Sequence, residues 1–435
     1  MLRKRLFKPL ALSILFCITI QPQTSAQTDG VPLPLAPTDY GKWESLGAGV
    51  LSPDGKWFAY QINRVNQDNE LRVRRLDTEA DEVVPYGVSP AFSSNSGWLA
   101  YAIGMPEAQK KKLEEQEKPV RNKMGLLNLA AGDTIVVNDV ASFRFRDDGG
   151  YLVMQRYSRA DQENKGVDLV TRDLDTGLEM NFGNISEYAW QEDGMLLAMI
   201  TDAEGQAGNG VQVFNTETGV LRPLDSNPTR YSGLSWRKQS DDLAVLREQE
   251  DDDYETPTHV VLSWRGLNDH MPTQRILDSS TAGLPKDSRI IDGYTPDWSK
   301  DGDILFLGIR DREKKTEIPV DSIAAKDSTA TEELAPAEVL VWHSKDAQVI
   351  PEQKLSAERV RRRNFLVAWH QKDNYLVKLG KELSQPVRPI PGQRYALGAD
   401  RTPYEFDGMF GRPYQDLYLI DLSSGEWQRI QERIR

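Results

Sequence analysis

Cysteine is all but absent. The 435 residues contain one, Cys17, and it lies inside a leading apolar segment. Beyond it the chain holds no thiol, so disulfides and thiolate metal sites are excluded and packing alone must stabilise the fold. Histidine is scarce too. The four residues His259, His270, His343 and His370 include no pair at the spacing of a helical zinc site. Positive charge is in deficit: the formal net charge is −13, which speaks against nucleic acid and anionic membrane surfaces as partners. After Ile20 no apolar run is long enough to cross a bilayer. A Gly-x-Ser-x-Gly nucleophile elbow is also missing. These absences leave no residue assigned to catalysis, cofactor binding or metal binding.

What is present begins with a targeting pattern. Arg3, Lys4, Arg5 and Lys8 precede the apolar run Leu10 to Ile20, and Thr24, Ser25 and Ala26 supply small residues at a cleavage point. Residues 1–26 read as a secretory signal peptide, which predicts a periplasmic or secreted protein. Phe16, not a small residue, precedes Cys17, against lipid attachment there. Cleavage removes four basic residues and no acid, so the mature charge becomes −17. Residues 27–39 form a Pro-rich, mobile lead-in. Ordered structure is expected from Tyr40 onward.

One ten-residue pattern then recurs. It is a bulky residue, four positions of turn, and an apolar strand. Copies start at Leu51 (LSPDGKWFAY), Phe92 (FSSNSGWLAY), Phe145 (FRDDGGYLVM), Trp190 (WQEDGMLLAM), Trp236 (WRKQSDDLAV) and Trp298 (WSKDGDILFL), with a weaker one at Arg388 (RPIPGQRYAL). Pro53 pre-sets a turn, Asp54 bonds back to its own backbone, and Gly55 accepts positive φ. Gly holds the fifth position in five of seven copies, with Ser96 and Ser240 as exceptions. A second hairpin follows most copies, as in Val167–Phe182, Val211–Leu224 and Leu417–Ile430, with Asp175-Thr176-Gly177 and Ser423-Ser424-Gly425 as tight loops.

Two hairpins per unit of about 45 residues predict an all-β chain, a β-propeller of seven or eight four-stranded blades over residues 40–435. Steps between copies are 41, 53, 45, 46, 62 and 90 residues. The long ones point to solvated insertions near 105–123, 248–257 and 313–338. The step of 90 also holds two outer-type hairpins, Val339–Ile350 and Phe365–Leu379, so the blade count stays open between seven and eight.

Several residues invite chemistry and are better read as structure. Gly233-Leu234-Ser235-Trp236-Arg237 approaches an elbow, but Arg237 replaces its last Gly and the segment is an inner strand. His343 and His370 each follow a Trp in equivalent hairpins, as copies of one position. Asp251-Asp252-Asp253-Tyr254-Glu255 lacks the spacing and glycine of a Ca²⁺ loop and reads as a solvated hairpin tip. Asp147-Asp148-Gly149 and Asp193-Gly194 recur at the turn position, so turn chemistry explains them without a glycosidase carboxylate pair. Trp190, Trp236 and Trp298 read as packing between blades. Arg361-Arg362-Arg363 reads as a solvated strand start.

Three stretches carry a resemblance. Lys42-Trp43-Glu44-Ser45-Leu46-Gly47 leading into LSPDGKWFAY, then VLVWHSKDAQVIPEQK (Val339–Lys354), then RYALGADRTPYE (Arg394–Glu405) resemble the N-terminal propeller of secreted bacterial serine peptidases of the prolyl oligopeptidase family. The resemblance covers the mature chain. The SPDG turn is shared with TolB-like and other propellers; the WHSKD…PEQK segment is more specific. The resemblance implies a propeller that gates peptide access to an α/β-hydrolase domain bearing a Ser, Asp, His triad. The sequence stops at Arg435 after an outer hairpin, so the expectation is a truncated form or fragment of such a peptidase, inactive alone, with its hydrolase partner domain missing. The alternative is a free-standing propeller that binds protein or glycan.

Overall fold

The computed structural model describes residues 36–40, 43–78, 81–159, 166–315, 348 and 350–435. The signal peptide, most of the lead-in, His343 and nearly all of the 313–338 insertion lie outside them. A single helical turn, α1 (Pro37–Tyr40), precedes the first strand.

Seven four-stranded antiparallel units follow one another along the chain. Blade 1 is β1 (Glu44–Leu51), β2 (Trp57–Arg64), β3 (Glu70–Arg75) and β4 (Asp81–Pro85). Blade 2 is β5 (Gly87–Phe92), β6 (Trp98–Ile103), β7 (Lys123–Asn128) and β8 (Thr134–Val137), with helix α2 (Glu107–Glu115) between β6 and β7. Blade 3 is β9 (Val140–Phe145), β10 (Tyr151–Arg156), β11 (Val167–Asp173) and the first half of β12 (Glu179–Trp190). The second half of β12 opens blade 4, which continues as β13 (Leu196–Thr201), β14 (Gly210–Asn215) and β15 (Val220–Ser226). Blade 5 is β16 (Tyr231–Trp236), β17 (Leu243–Gln249), β18 (Thr258–Arg265) and β19 (Thr273–Leu277). Blade 6 has a split inner strand, β20 (Ser288–Ile290) and β21 (Asp297–Trp298), then β22 (Ile304–Asp311), helix α3 (Ile350–Arg361), β23 (Phe365–His370) and β24 (Tyr375–Lys378). Blade 7 is β25 (Val387–Pro389), β26 (Tyr395–Asp400), helix α4 (Glu405–Gly408), β27 (Gln415–Asp421) and β28 (Trp427–Ile434). This serial order of four-stranded sheets is a β-propeller.

The described residues therefore hold seven blades. The step of 90 residues is one blade whose β22–β23 connection carries the insertion. The hairpin expected over Val339–Ile350 lies outside the described residues except at its end, where Ile350 opens α3. Arg361-Arg362-Arg363 is a correction as well. Arg361 closes α3 and the next two residues form the turn before β23, so the cluster ends a helix and does not start a strand. Cations in a last helical turn complement the negative C-terminal end of the dipole.

The repeated turn works as its residues dictate. In blade 1, Ser52 Oγ donates to Asp54 Oδ1 at 2.7 Å and accepts from the Trp57 amide at 2.9 Å. Blade 2 repeats this with Ser93, Asn95 and Trp98, and blade 6 with Ser299, Asp301 and Ile304. Arg146 replaces the serine in blade 3 and forks onto Asp148. Positive φ falls on the fifth position in five copies, including Ser96 at +55°. In blades 4 and 5 it moves one residue earlier, to Asp193 at +53° and Gln239 at +51°.

Packing follows from strand periodicity. Successive side chains on a strand point to opposite faces, so a middle strand serves two seams. In β13, Ala198 and Ile200 pack toward blade 5, while Leu197 and Met199 pack toward blade 3. This is why the middle strands read as continuous apolar runs. Six apolar clusters join the seven blades pairwise in chain order. Among the described residues no such cluster joins blade 7 to blade 1, and each sheet is built from strands consecutive in sequence.

Candidate functional site

Within an up-and-down blade the second-to-third strand connections all emerge at one end, opposite the repeated turns. The three longest connections are of this kind, and the ten-residue step from blade 5 to blade 6 (278–287) emerges at the same end. Residues 104–122 leave blade 2, 250–257 blade 5, 312–364 blade 6 and 401–414 blade 7. Neighbouring excursions are stitched together. The Asn122 amide donates to Tyr157 Oη at 3.1 Å and Arg121 to the Ser158 carbonyl at 3.0 Å, tying blade 2 to blade 3. The acidic run of blade 5 docks on blade 6: Arg312 pairs with Asp251 at 2.9 Å and lies 3.5 Å from the centre of the Tyr254 ring. Tyr254 also forms a β-bridge with Lys314. The run is a hairpin tip, but a tethered one. Blade 7 presents Phe406 and Phe410, 53% and 66% exposed, with ring centres 5.4 Å apart.

The innermost strands carry a half-buried carboxylate. Glu187 sits where the β12–β13 register shifts between Ile185 and Glu187. It accepts from the amides of Gly233 and Leu234 at 2.8 and 2.9 Å. Those amides are released from the ladder by the register shift of β16 between Ser232 and Ser235, with Gly233 at φ +72°. Burial raises the Glu187 carboxyl above its ordinary range and outweighs the two amide bonds that pull it down. In blade 6, between β20 and β21, burial pushes the Tyr294 hydroxyl up to about 12.

The residues weighed from sequence fall apart in space and in role. Ser235 lends its carbonyl to Trp298 Nε1 at 3.0 Å. Trp236 Nε1 donates to the Ala189 carbonyl at 3.0 Å, and Trp190 packs between blades 3 and 4. The three tryptophans are inter-blade contacts. His259 is buried with Nδ1 2.9 Å from the Ile290 carbonyl. His370 stacks on Tyr375 and places Nε2 2.9 Å from the Leu422 carbonyl, linking blades 6 and 7. Asp147, Asp148 and Asp193 lie in the repeated turns, where Arg146 is the first of the causes that hold the Asp148 carboxyl below its ordinary value. Between the turns of blades 4 and 5 an open cleft of about 390 Å³ is lined by Glu192, Asp193 and Asp241 among other polar residues. Among the described residues no group of three His, Asp, Glu or Cys is arranged to hold a metal, and no helix is long and apolar enough to cross a membrane. Sequence reading missed Glu187, Arg121 and Arg312, because their partners lie 37 to 61 residues away in other blades.

No protein-family model matches the chain, and no curated protein matches it. Solved structures similar to it are β-propellers of peptidases and others. The β-propeller domain of the Trilobed protease from Pyrococcus furiosus aligns at 11% identity and TM-score 0.32, over 90% of this chain and 97% of that one. One of two prolyl endopeptidases aligns at 11% identity and TM-score 0.35 over 90% of this chain, which spans 49% of that protein. TolB from Acinetobacter baumannii aligns at 14% identity and TM-score 0.28, over 61% of this chain and 60% of that one. At these TM-scores the β-propeller assignment rests on the chain's own sheet order and register.

Proposed function

We propose that this chain is the non-catalytic, substrate-gating propeller of an exported peptidase of the prolyl oligopeptidase type. The chemistry would belong to an α/β-hydrolase domain outside these 435 residues. The observation that carries the reading is the resemblance of the Lys42–Tyr60, Val339–Lys354 and Arg394–Glu405 stretches to that family's propeller. The placement of the expanded connections at one end of the blades supports it, since a gate needs one decorated end facing its partner. The exposed Phe406 and Phe410 suit burial against a second domain. Fold alone does not set function, so the test is chemical. The purified chain is expected to hydrolyse no peptide and to take up no serine-directed fluorophosphonate probe; robust labelling of one serine would overturn the reading. The coding sequence beyond the Arg435 codon decides the rest. Continuation into a Gly-x-Ser-x-Gly region is expected, whereas a stop codon would leave a free-standing binding propeller.

A further inference from the structure

The seam between blades 5 and 6 changes character at its rim. Inside, Val261 and Leu277 of blade 5 pack against blade 6 in a continuous apolar cluster. These two residues are register partners, and the same ladder pairs Ser263 with Arg275 and Arg265 with Thr273. With period two along each strand, all six stand on the face turned to blade 6. The apolar pair closes the seam. Arg265, Thr273 and Arg275 border an open cleft of about 270 Å³, whose far side is Asp303 and the turn residues Gln371 and Lys372 of blade 6.

Gln371 is the informative residue. It is 1% exposed and lines this cleft. Its Oε1 accepts from Ser263 Oγ at 3.2 Å, and its backbone amide donates to the Asp303 carbonyl at 2.9 Å. Its Nε2 has no hydrogen-bond partner. A buried amide donor without an acceptor is rare in native proteins and calls for a ligand atom or water. The charges around it favour an anion. Arg265 is shared between Asp242 at 3.5 Å and Asp303 at 3.6 Å, both longer than a hydrogen bond. Arg275 and Lys372 have no ion-pair partner among the described residues. This excess of cations stands out on a chain of net charge −13.

We propose that this cleft binds a carboxylate. Arg275 would pair with the carboxylate, Lys372 would act as a point charge at the mouth, and a turn of the buried Gln371 amide toward the cleft would let its Nε2 donate to one carboxylate oxygen. An apolar occupant would leave Nε2 unpaired, and a cation would meet the two arginines. Asp303 remains at the edge, so a monoanion is preferred over a phosphate dianion. The carboxylate is a peptide C-terminus or an acidic side chain. This inference is independent of the peptidase reading, because it needs no hydrolase domain.

Calorimetric titration of the whole chain at low salt tests it. The probes are an acetylated tri-alanine peptide with a free C-terminus, the same peptide amidated, acetyl-Ala-Glu-Ala-amide, and inorganic phosphate. Binding is expected for the free C-terminus, the Glu peptide or both, which identifies the source of the carboxylate, and not for the neutral amide. Arg275→Met is expected to weaken binding at least tenfold and Lys372→Met severalfold, with Lys110→Met on α2 unchanged. Arg275 is half-buried and Lys372 exposed, so neither variant opens the core, and an unchanged circular dichroism spectrum confirms folding. The proposal is overturned if no carboxylate probe binds, if the neutral amide or phosphate binds as tightly, or if Arg275→Met binds like the parent chain.

Discussion

The indole Nε1 of Trp298 donates to the carbonyl of Ser235, 3.0 Å away on the inner strand of the preceding blade. Trp236 repeats the contact one blade earlier, to Ala189. Trp190 is buried to a similar degree as Trp298, at 7% against 9% exposure, yet its Nε1 has no partner. A phenylalanine at either position loses similar packing, but at Trp298 it also loses the bond to the Ser235 carbonyl. A hydrogen bond contributes about 0.5–1.5 kcal/mol net. Trp298→Phe should therefore be more destabilising than Trp190→Phe by roughly 1 kcal/mol. Denaturant midpoints of the two variants check this, and equal losses would remove the hydrogen bond from the account of seam stability.

Turn backbone makes a second contrast. Gln239 holds φ +51° in the blade 5 turn, a conformation that costs a residue with a Cβ about 1–2 kcal/mol. Its amide bonds to Glu192 Oε2 at 3.2 Å, and that contact does not need the side chain. Gln239→Gly is expected to stabilise by about 0.5–1 kcal/mol after the extra chain entropy of glycine is charged. Gly55→Ala should cost about 1 kcal/mol from φ alone, since nothing lies within 4 Å of the new methyl. Gly283→Ala should be far worse, because there the methyl would lie 2.1 Å from the Leu376 carbonyl oxygen. Thermal unfolding of the three variants should rank them in that order.

Which features could be read from the sequence follows from where their causes lie. The Ser52, Asp54 and Gly55 turn is built from bonds between residues two to five apart, so its chemistry is written locally and survives in degraded copies. The boundary between blades 3 and 4 is not. β12 runs through it unbroken, with Asn184 at φ +58° and no Gly–Pro turn to mark the change. The register shift of β16 gives two free amides and Glu187 answers them from 46 residues upstream. Gln371 and Ser263 meet across 108 residues. Such pairs depend on the register of two blades at once, which no local pattern encodes. The fold was therefore legible, while the cleft and the stitched excursions were not.

The tether between blades 5 and 6 predicts local behaviour. Arg312 contributes an ion pair to Asp251 and a cation–π contact to Tyr254. Each is worth about 0.5–1 kcal/mol at a partly exposed site. Neither lies in an apolar seam. Arg312→Ala should leave the global unfolding midpoint nearly unchanged and speed amide exchange severalfold at Tyr254, Glu255 and Thr256. Hydrogen exchange with mass spectrometry resolves the two. Uniform loss of protection across blades 5 and 6 would show that the tether is part of the blade core.

Two carboxylates should give opposite pH signatures. Asp421 is held below the ordinary carboxylate range, first by Arg394 and then by Ser423. A depressed folded value means stability present above the unfolded value, about 4, and lost as pH falls through the folded one. The deficit of Asp421→Asn relative to the parent should hold from pH 8 to 5 and shrink below about 4. It should be small, because Arg394 is largely exposed. Glu187 is raised, with burial as the first cause. A raised folded value means a contribution fully present below the unfolded value and lost as pH rises through the folded one. Glu187→Gln does not titrate and offers a single oxygen to the Gly233 and Leu234 amides. Its deficit should be largest near pH 4 and narrow as pH rises to 8, because the parent alone is losing stability. Thermal midpoints of both variants and the parent, at half-unit steps of pH, separate the two signs. If the Glu187→Gln deficit widened with rising pH, the carboxylate would be better stabilised in the fold than its burial allows, with the two amide bonds outweighing desolvation.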